Sequence, residues 1–307
     1  MKGPALFGVL AAVGLLGGGG SAVGARHGIL FLRAYPRLGS AQVYVWRPGA
    51  AAAPIGPSTK TIDSVQWSPD GRQIAFTAQP AGGMPDANPE DVYLMRPDGT
   101  SVRQLTHDPA HRVVSPSWSP DGSQIVLERL IENSPYYVLA VVSARTGAER
   151  SLHVAGLYPT WGKPGVAYKS DAGPIMLLNP ATGRSKVFVA SSDNVYPFAW
   201  SNRGDLAVMQ GSFGHTAIAT YSARGRALTR FHLRLPYSEV CGVSWSPGGA
   251  RLLLTVKGLL TVRNRLFHGI RPPLDKYAGL WTTTPTGKHH HRLLRFQPNG
   301  SCQTSWR

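Results

Sequence analysis

The sequence predicts an all-β protein, a six-bladed β-propeller made of four-stranded antiparallel blades. The first observation is a recurring motif: Trp-Ser-Pro-Asp-Gly begins at Trp67 and Trp118, Trp-Ser-Pro-Gly-Gly begins at Trp245, and weaker copies begin at Trp161 and Trp200. The second is the spacing of these tryptophans, 51, 43, 39 and 45 residues, which is the period of a propeller blade. The third is a further glycine-containing turn that follows each copy.

Each copy of the motif is typical of a strand, a tight turn and a second strand. Proline fixes φ and Asp-Gly or its substitute reverses the chain, while the apolar residues that follow alternate with a period of two. A second hairpin follows each copy, with turns at 97–99, 145–147, 181–183, 223–225 and 285–287. The repeating unit is therefore four antiparallel strands.

The two chain ends supply the sixth blade. Residues 28–35 and 42–46 resemble the second and third strands of a blade, and 301–306 resemble a first strand. Pairing of the C-terminal strand with the N-terminal blade closes the ring, which removes exposed sheet edges. We therefore expect a signal peptide at 1–25 and one propeller at 26–307, with blades near 28–60 plus 300–307, 61–110, 111–153, 154–191, 192–236 and 237–299.

The N-terminal segment is typical of an export signal. Lys2 precedes an apolar run at 5–16, and small residues at Val23 and Ala25 fit cleavage after Ala25. Twelve helical residues rise about 18 Å, short of the roughly 30 Å hydrocarbon core, so we expect no transmembrane span in the mature chain. The protein is then extracytoplasmic, secreted or periplasmic. The alternative is an uncleaved N-terminal anchor.

Composition excludes several classes of protein. The chain has 307 residues, 35 Gly, 25 Pro and 42% hydrophobic residues, which argues against a disordered chain and a helical bundle. Two cysteines are too few for a disulfide scaffold or an all-thiolate metal site. The net charge is +16, and residues 221–307 carry 14 basic against 2 acidic residues, a net of +12. This balance suggests an anionic partner or a simple bias toward arginine.

The repeats also carry a family resemblance. The segments WSPDG-x-x-I-A-F, VYLMRPDG and RQLT resemble the WD40-like repeats of TolB-type periplasmic propellers. The resemblance covers essentially the whole mature chain and implies the propeller fold in a cell-envelope setting. The same repeats occur in propellers of prolyl-oligopeptidase-type peptidases, so they specify fold better than function. Those peptidases carry a hydrolase domain, and this sequence contains no Gly-x-Ser-x-Gly elbow.

The connections between blade strands open on two faces of the ring. Turns between the first and second and between the third and fourth strands are short. The other connections, on what we call the long-loop face, hold the insertions 79–91 and 256–278. The second insertion alternates basic and apolar residues, and we expect it to bind through Arg263, Arg265, Phe267, His268, Arg271 and Lys276. The alternative is an irregular hairpin whose apolar residues fold back onto its blade.

One constellation resembles a divalent-ion or acid/base site. His107 and His111 are expected on a long-loop connection near Asp86 and Asp91. The alternative is a polar connecting loop. The run 289–291 is three histidines, but adjacent strand residues alternate faces, so a solvated edge strand is favoured over a metal site. We expect no cofactor.

Two further sets of residues are interpreted structurally. Cys241 and Cys302 each lie four residues before a blade tryptophan, and a disulfide there would fix the C-terminal strand. The alternative is two thiols too far apart to bridge. The tryptophans that recur at one position of the repeat are interpreted as packing between blades; they are Trp67, Trp118, Trp161, Trp200, Trp245 and Trp306.

These observations lead to two functional hypotheses. The first is a non-enzymatic binding or scaffold propeller, monomeric, that engages a protein partner or an anionic envelope polymer or lipid surface through its long-loop face. Nucleic acid is not expected, because an extracytoplasmic protein rarely meets it and regular aromatic interleaving is absent. The alternative is a propeller enzyme of the lyase, lactonase or hydrolase type with a polar or metal site at the central channel. A relative of the peptidase propellers that has lost its chemistry is a further possibility.

Overall fold

The structure, a computed structural model, describes residues 28–35, 40–58, 60–80, 90–107, 112–130, 137–190, 195–211, 216–233, 238–258, 278–295 and 304–306. Within these ranges the chain forms 24 strands in six four-stranded antiparallel sheets. This confirms the predicted six-bladed propeller. Among the described residues, no helix is long and apolar enough to cross a membrane.

The strands follow the chain blade by blade. The first blade has β1 (Ile29–Tyr35), β2 (Ser40–Trp46) and β3 (Ala53–Ile55), with β24 (Thr304–Trp306) innermost. The second has β4 (Lys60–Trp67), β5 (Ile74–Pro80), β6 (Asp91–Met95) and β7 (Arg103–Gln104). The third has β8 (Val113–Trp118), β9 (Gln124–Leu130), β10 (Tyr137–Ser143) and β11 (Glu149–Ala155).

The remaining three blades repeat this order. The fourth has β12 (Leu157–Gly162), β13 (Gly165–Lys169), β14 (Ile175–Leu178) and β15 (Ser185–Val189). The fifth has β16 (Val195–Trp200), β17 (Leu206–Gln210), β18 (Ala217–Tyr221) and β19 (Ala227–His232). The sixth has β20 (Ser238–Trp245), β21 (Leu252–Gly258), β22 (Gly279–Thr283) and β23 (His291–Leu294).

The Ser-Pro-Asp-Gly segment folds the same way in the second and third blades. Ser68 Oγ donates to Asp70 Oδ1 at 2.6 Å, and the backbone N–H of Gln73 donates to Ser68 Oγ at 2.9 Å. In the third blade, Ser119, Asp121 and Gln124 repeat both contacts at the same two distances. Side-chain oxygens that accept backbone N–H groups stabilise a turn locally. The motif therefore closes its own hairpin without help from the rest of the ring.

The innermost strands form a closed ring. They contact one another in the order β24, β4, β8, β12, β16, β20 and back to β24. β24 also pairs antiparallel with β1, with Ile29 opposite Trp306. Three blade tryptophans donate their backbone N–H to a side chain of the preceding blade in the ring. In each case this side chain belongs to the residue directly before that blade's own tryptophan. The pairs are Trp67 to Ser305 Oγ, Trp118 to Gln66 Oε1 and Trp161 to Ser117 Oγ, at 3.1, 3.1 and 3.0 Å.

Indole N–H groups bridge blades as well. Trp67 Nε1 donates to the Gly28 carbonyl, Trp200 Nε1 to that of Thr160 and Trp245 Nε1 to that of Ala199, at 3.1, 3.0 and 3.1 Å. Each of these rings therefore joins its own blade to the preceding one through a directional contact in addition to packing.

The hydrophobic core is divided among the interfaces between blades. Six clusters of buried residues each combine side chains from two adjacent blades, and together they cover all six interfaces. In β1, for example, Leu30 and Leu32 pack toward the second blade, whereas Ile29 and Phe31 pack toward the sixth. Alternate residues of a strand point to opposite faces, so a strand buried on both faces is apolar throughout.

Candidate functional site

Five of the six innermost strands contain a β-bulge near the long-loop face of the ring. The register shifts are located at 62–64 in β4, 114–117 in β8, 157–160 in β12, 197–199 in β16 and 240–242 in β20. Each shift precedes the blade tryptophan and therefore lies in the half of the strand nearer the long-loop face. A β-bulge bends its strand and redirects a side chain. Ser115 and Tyr158 at two of these bulges have φ of 53° and 54°.

Ionisable and phenolic side chains gather at the bulged ends of the strands in the second to fifth blades. We call this set the long-loop mouth. It consists of Asp63, Glu90, Arg112, Glu128, Tyr158, Lys169 and Tyr196.

The second-blade side of the mouth contains a buried ion pair. Arg112 Nε donates to Glu90 Oε2 at 2.7 Å; the glutamate side chain has no solvent exposure and the arginine side chain is 30% exposed. Burial raises the pKa of Glu90, the charge of Asp63 raises it further, and Thr77 and Arg112 oppose the shift. Burial also raises the pKa of Asp63, against the opposing charge of Arg112. The charge of Arg112 therefore acts on two carboxyl groups, as an ion pair with Glu90 and at longer range on Asp63.

The third-blade side holds a second buried carboxyl group. Glu128 on β9 is 2% exposed, and its Oε1 accepts the backbone N–H of Tyr158 on β12 at 2.7 Å. Burial raises the pKa of Glu128 to about 7, while hydrogen bonds from Ser115 and the Tyr158 backbone oppose the shift. This carboxyl group satisfies an N–H that the bulge removes from the strand ladder. It also gains or loses a proton close to neutral pH.

The fourth and fifth blades contribute an aromatic pair and a cation. Tyr158 is 43% exposed, and its ring packs edge-on against Tyr196 with centroids 5.2 Å apart. Lys169 Nζ lies 4.3 Å from the centroid of the Tyr196 ring, a cation–π distance. Burial raises the pKa of Tyr158, and the charge of Glu128 raises it further. The donors here are the exposed Tyr158 and the partly exposed Lys169, whereas the carboxyl group of Glu128 is buried next to the Tyr158 backbone.

Backbone contacts link the two sides of the mouth. The N–H of Leu130 donates to the Arg112 carbonyl at 3.0 Å, and Leu130 lies opposite Tyr137 in the β9–β10 ladder. The N–H of Gly156 then donates to the Tyr137 carbonyl at 3.1 Å, just before β12. These contacts hold together the strand ends of the third blade from which Arg112 and Glu128 project, next to the start of β12. The donors of the mouth suit a carbonyl or carboxylate oxygen, and its buried carboxyl groups can hold a proton.

Many residues predicted to form a site lie outside the described part of the chain. They include all six predicted binding residues of the 256–278 insertion: Arg263, Arg265, Phe267, His268, Arg271 and Lys276. Asp86 and His111 of the predicted metal site also lie there. Both hypotheses stay predictions.

The other two members of the predicted metal site are described. Asp91 is buried, and its oxygens accept from Gln104 Nε2 at 2.9 Å and from Thr106 Oγ1 at 2.7 Å. His107 is exposed and lines an open cleft of about 550 Å³ between the second and third blades, together with Arg103 and Glu149. No group of three or more metal-binding side chains occurs among the described residues. In this structure, Asp91 fixes the β6–β7 hairpin.

Cys241 lies at the bulge of β20 and is disulfide-bonded. The chain has only two cysteines, so an intramolecular bridge from Cys241 leads to Cys302. Cys302 lies outside the described residues, and the pairing stays a prediction.

Sequence reasoning did not find Glu128 or Lys169, although a signal for them exists. The second strands of five blades can be aligned on the residue that pairs with the blade tryptophan, counted as position one. Position four is then Thr77, Glu128, Lys169, Met209 and Thr255 in the second to sixth blades. A charged residue interrupts an apolar run there in the third and fourth blades. Aligning second strands as well as first strands would have placed both residues at the mouth.

Comparisons with known proteins find relatives in two groups. The uncharacterized peptidase YuxL of Bacillus subtilis is 39% identical over 85 residues, which is 28% of this chain and 12% of YuxL. The Tol-Pal system protein TolB of Anaeromyxobacter dehalogenans is 36% identical over 83 residues, which is 27% of this chain and 17% of TolB. The chain therefore spans only a small part of these relatives. No family model matches it.

Solved structures of both groups share the fold. TolB from Acinetobacter baumannii superimposes with a TM-score of 0.67 at 14% identity, covering 91% of this chain and 66% of TolB. A puromycin-hydrolyzing peptidase from Mycobacterium tuberculosis gives a TM-score of 0.57 at 16% identity, covering 89% of this chain and 46% of the peptidase.

The comparisons correct the first functional hypothesis. The expectation of a non-enzymatic binding or scaffold propeller is wrong, because a relative named as a peptidase and several hydrolase structures point to the peptidase group instead. The hydrolase alternative agrees with them better. The superposition shows that the chain has the six-bladed β-propeller fold of TolB, and part of its repeat sequence is similar to TolB.

Proposed function

We propose that this chain is the propeller of a peptidase-type hydrolase and that its long-loop mouth binds a peptide-like substrate. The observation that carries the proposal is that the exposed Tyr158 and the partly exposed Lys169 occur with buried carboxyl groups at one end of the ring. Relatives and structures named as peptidases and puromycin hydrolases support the substrate class, an amide of an amino acid or peptide.

The mouth suits such a substrate chemically. An amide carbonyl oxygen accepts hydrogen bonds, and the hydroxyl of the exposed Tyr158 and the ammonium group of the partly exposed Lys169 are donors. Tyr158 and Tyr196 add aromatic surface on which a planar peptide group or ring can pack. Glu128, with a pKa near 7, exchanges its proton in the range where general acid–base groups operate. Its burial next to the Tyr158 backbone places it as a positioning residue.

We propose an extracytoplasmic location for the protein. The signal-like segment 1–25 supports it, and the relatives named Tol-Pal system protein TolB agree with it and with a protein partner. Secretion of a fusion between residues 1–40 and a reporter enzyme, compared with a variant carrying Leu10→Arg, tests the export signal. Equal secretion of both fusions would refute it.

The test of function uses the purified chain with puromycin and a panel of peptide amides. Binding is measured by calorimetry and hydrolysis by mass spectrometry. We expect at least one compound to bind and Tyr158→Ala to weaken that binding by about tenfold, the loss typical of one well-packed aromatic contact. Leu228→Ala is the matched control, because Leu228 is 42% exposed on the outer strand of the fifth blade. Absence of binding and hydrolysis, or full binding by Tyr158→Ala, overturns the proposal.

A further inference from the structure

We propose that Lys169, Tyr158 and Tyr196 form a carboxylate-binding site at the long-loop mouth, and that it receives the free C-terminal carboxylate of the peptide-like substrate. The proposal rests on the proposed function for its ligand and on the geometry of these three residues for its chemistry.

The three side chains come together from two blades. Lys169 ends β13 and lies opposite Leu157 in the ladder with β12, so it neighbours Tyr158 across two adjacent strands. Its Nζ lies 4.3 Å from the centroid of Tyr196 on β16, and Tyr196 contacts the Tyr158 ring. A cation held over an aromatic face is restricted in position, so less side-chain entropy is lost when an anion binds.

The charge of Lys169 is not balanced by a carboxylate in the described part of the chain. No ion pair of Lys169 occurs there, whereas Arg112 pairs with Glu90 and Arg129 pairs with Glu149. Asp171, in the exposed turn that follows β13, is the nearest acidic residue along the chain. Lys169 lies over the Tyr196 ring, and this ring contacts that of Tyr158. The three side chains together carry N–H and O–H donors for the oxygens of one carboxylate.

The carboxyl group of Glu128 makes this binding depend on pH. Glu128 contacts the Tyr158 backbone and Ser115 of β8, and its charge acts on the Tyr158 phenol. Tyr137 of β10 and Tyr196 of β16 face the same phenol, and Arg112 faces Tyr137. When Glu128 loses its proton as the pH rises through about 7, its negative charge opposes a bound carboxylate. Affinity for the carboxylate is therefore higher at pH 6 than at pH 8.

The experiment uses a tetrapeptide library prepared twice, once as free acids and once as C-terminal amides. Binding to the full chain is measured for both at pH 6 and pH 8. We expect the acids to bind at least tenfold more tightly than the amides at pH 6. Lys169→Ala removes this preference and Lys169→Arg keeps it. Arg224→Ala is the charge-matched control, because Arg224 is exposed in the short turn between β18 and β19.

The outcomes separate the two proposals. If neither library binds, the proposed function fails. If amides bind as tightly as acids, or if Lys169→Ala weakens both equally, the carboxylate site is wrong and the proposed function stands. A further test uses the variant Glu128→Gln, whose side chain cannot ionise. It should remove the difference in acid affinity between pH 6 and pH 8 while the protein stays folded, as judged by circular dichroism, and an unchanged difference would contradict the role of Glu128.

Discussion

At the scale of single residues, carboxyl groups on the two faces of the ring are shifted in opposite directions. Hydrogen bonds from the Thr100 side chain and backbone lower the pKa of Asp98, and those from Ser119 and Ser123 lower the pKa of Asp121. Both aspartates lie in short turns. At the mouth, burial instead raises the pKa of Glu90 and Glu128. The carboxylates in the turns are hydrated and also accept several hydrogen bonds, which favours the charged form. The carboxyl groups at the mouth are buried, and their hydrogen bonds do not fully replace the lost hydration.

Glu128→Gln should change the pH dependence of stability. The folded-state pKa of Glu128, about 7, lies above the ordinary value of 4.5, so the folded protein holds this proton longer than the unfolded chain. Its contribution to stability is therefore lost as the pH rises from about 4.5 to 7. Because the glutamine cannot ionise, the variant should be more stable than wild type at pH 8 by roughly 2 to 3 kcal/mol, and the difference should shrink toward pH 5.

Urea unfolding of both proteins at pH 5, 6, 7 and 8 measures this difference. Asp121→Asn is the control: the pKa of Asp121 is lowered from 3.8, so this group stays ionised from pH 5 to 8 and its loss should change stability by the same amount at all four pH values. Parallel pH profiles for wild type and Glu128→Gln would show that the buried carboxyl group does not titrate as described.

At the scale of strands and turns, neighbouring blades are joined by side chains that lie one residue before each tryptophan. Gln66 Oε1 accepts the backbone N–H of Trp118 at 3.1 Å, and Ser117 Oγ accepts that of Trp161 at 3.0 Å. These contacts fix the register of one innermost strand against the next. They come from residues whose types differ between blades, so they do not stand out as part of the repeat.

Removing one such contact should destabilise the ring measurably. Gln66→Ala leaves the buried N–H of Trp118 without its acceptor, and we expect a loss of about 1 to 2 kcal/mol in the free energy of unfolding. Gln73→Ala is the control, because the Gln73 side chain is exposed and both of its hydrogen bonds with Ser68 are made by its backbone. Chemical denaturation compares the two. Equal losses would mean that the interblade hydrogen bond contributes nothing beyond packing.

The elements themselves were largely predictable, because turn chemistry and alternation are local. The motif at Trp67 predicts a hairpin, and β4 and β5 form it with Ile74 opposite Trp67. The bulges in the innermost strands were not predictable in the same way. A bulge at Tyr158 requires an acceptor for its N–H, and that acceptor, Glu128, belongs to another blade.

At the scale of the whole molecule, stability comes from six similar interfaces closed into a ring. Each interface has its own cluster of buried side chains, including the one in which Leu253 and Leu280 of the sixth blade meet Ile29 and Phe31 of the first. No described blade buries its two faces by itself, as expected for a repeat architecture. Anything that opens one interface therefore exposes apolar surface on both neighbouring blades.

Reduction should weaken the ring where its two ends meet. Cys241 is disulfide-bonded, and its predicted partner Cys302 lies just before β24. Closing a loop of that length is worth about 4 kcal/mol in the chain-entropy model, so reductant should lower the free energy of unfolding by a comparable amount. The doubly substituted Cys241→Ser, Cys302→Ser protein should not respond to reductant. Alkylation of both thiols without prior reduction, read by mass spectrometry, would contradict the bridge.

The repeat, the number of blades and the positions of their turns follow from local sequence patterns alone. Trp-Ser-Pro-Asp-Gly encodes a hairpin through contacts within six residues, from Ser68 to Asp70 and Gln73. Five copies of the motif and the strands at the two chain ends give six blades. Which polar residues meet depends instead on how the blades pack against one another. Glu128 and Tyr158 are 30 residues apart, and they touch because adjacent blades pack side by side. A site formed between blades depends on distances that the local pattern of either blade does not contain.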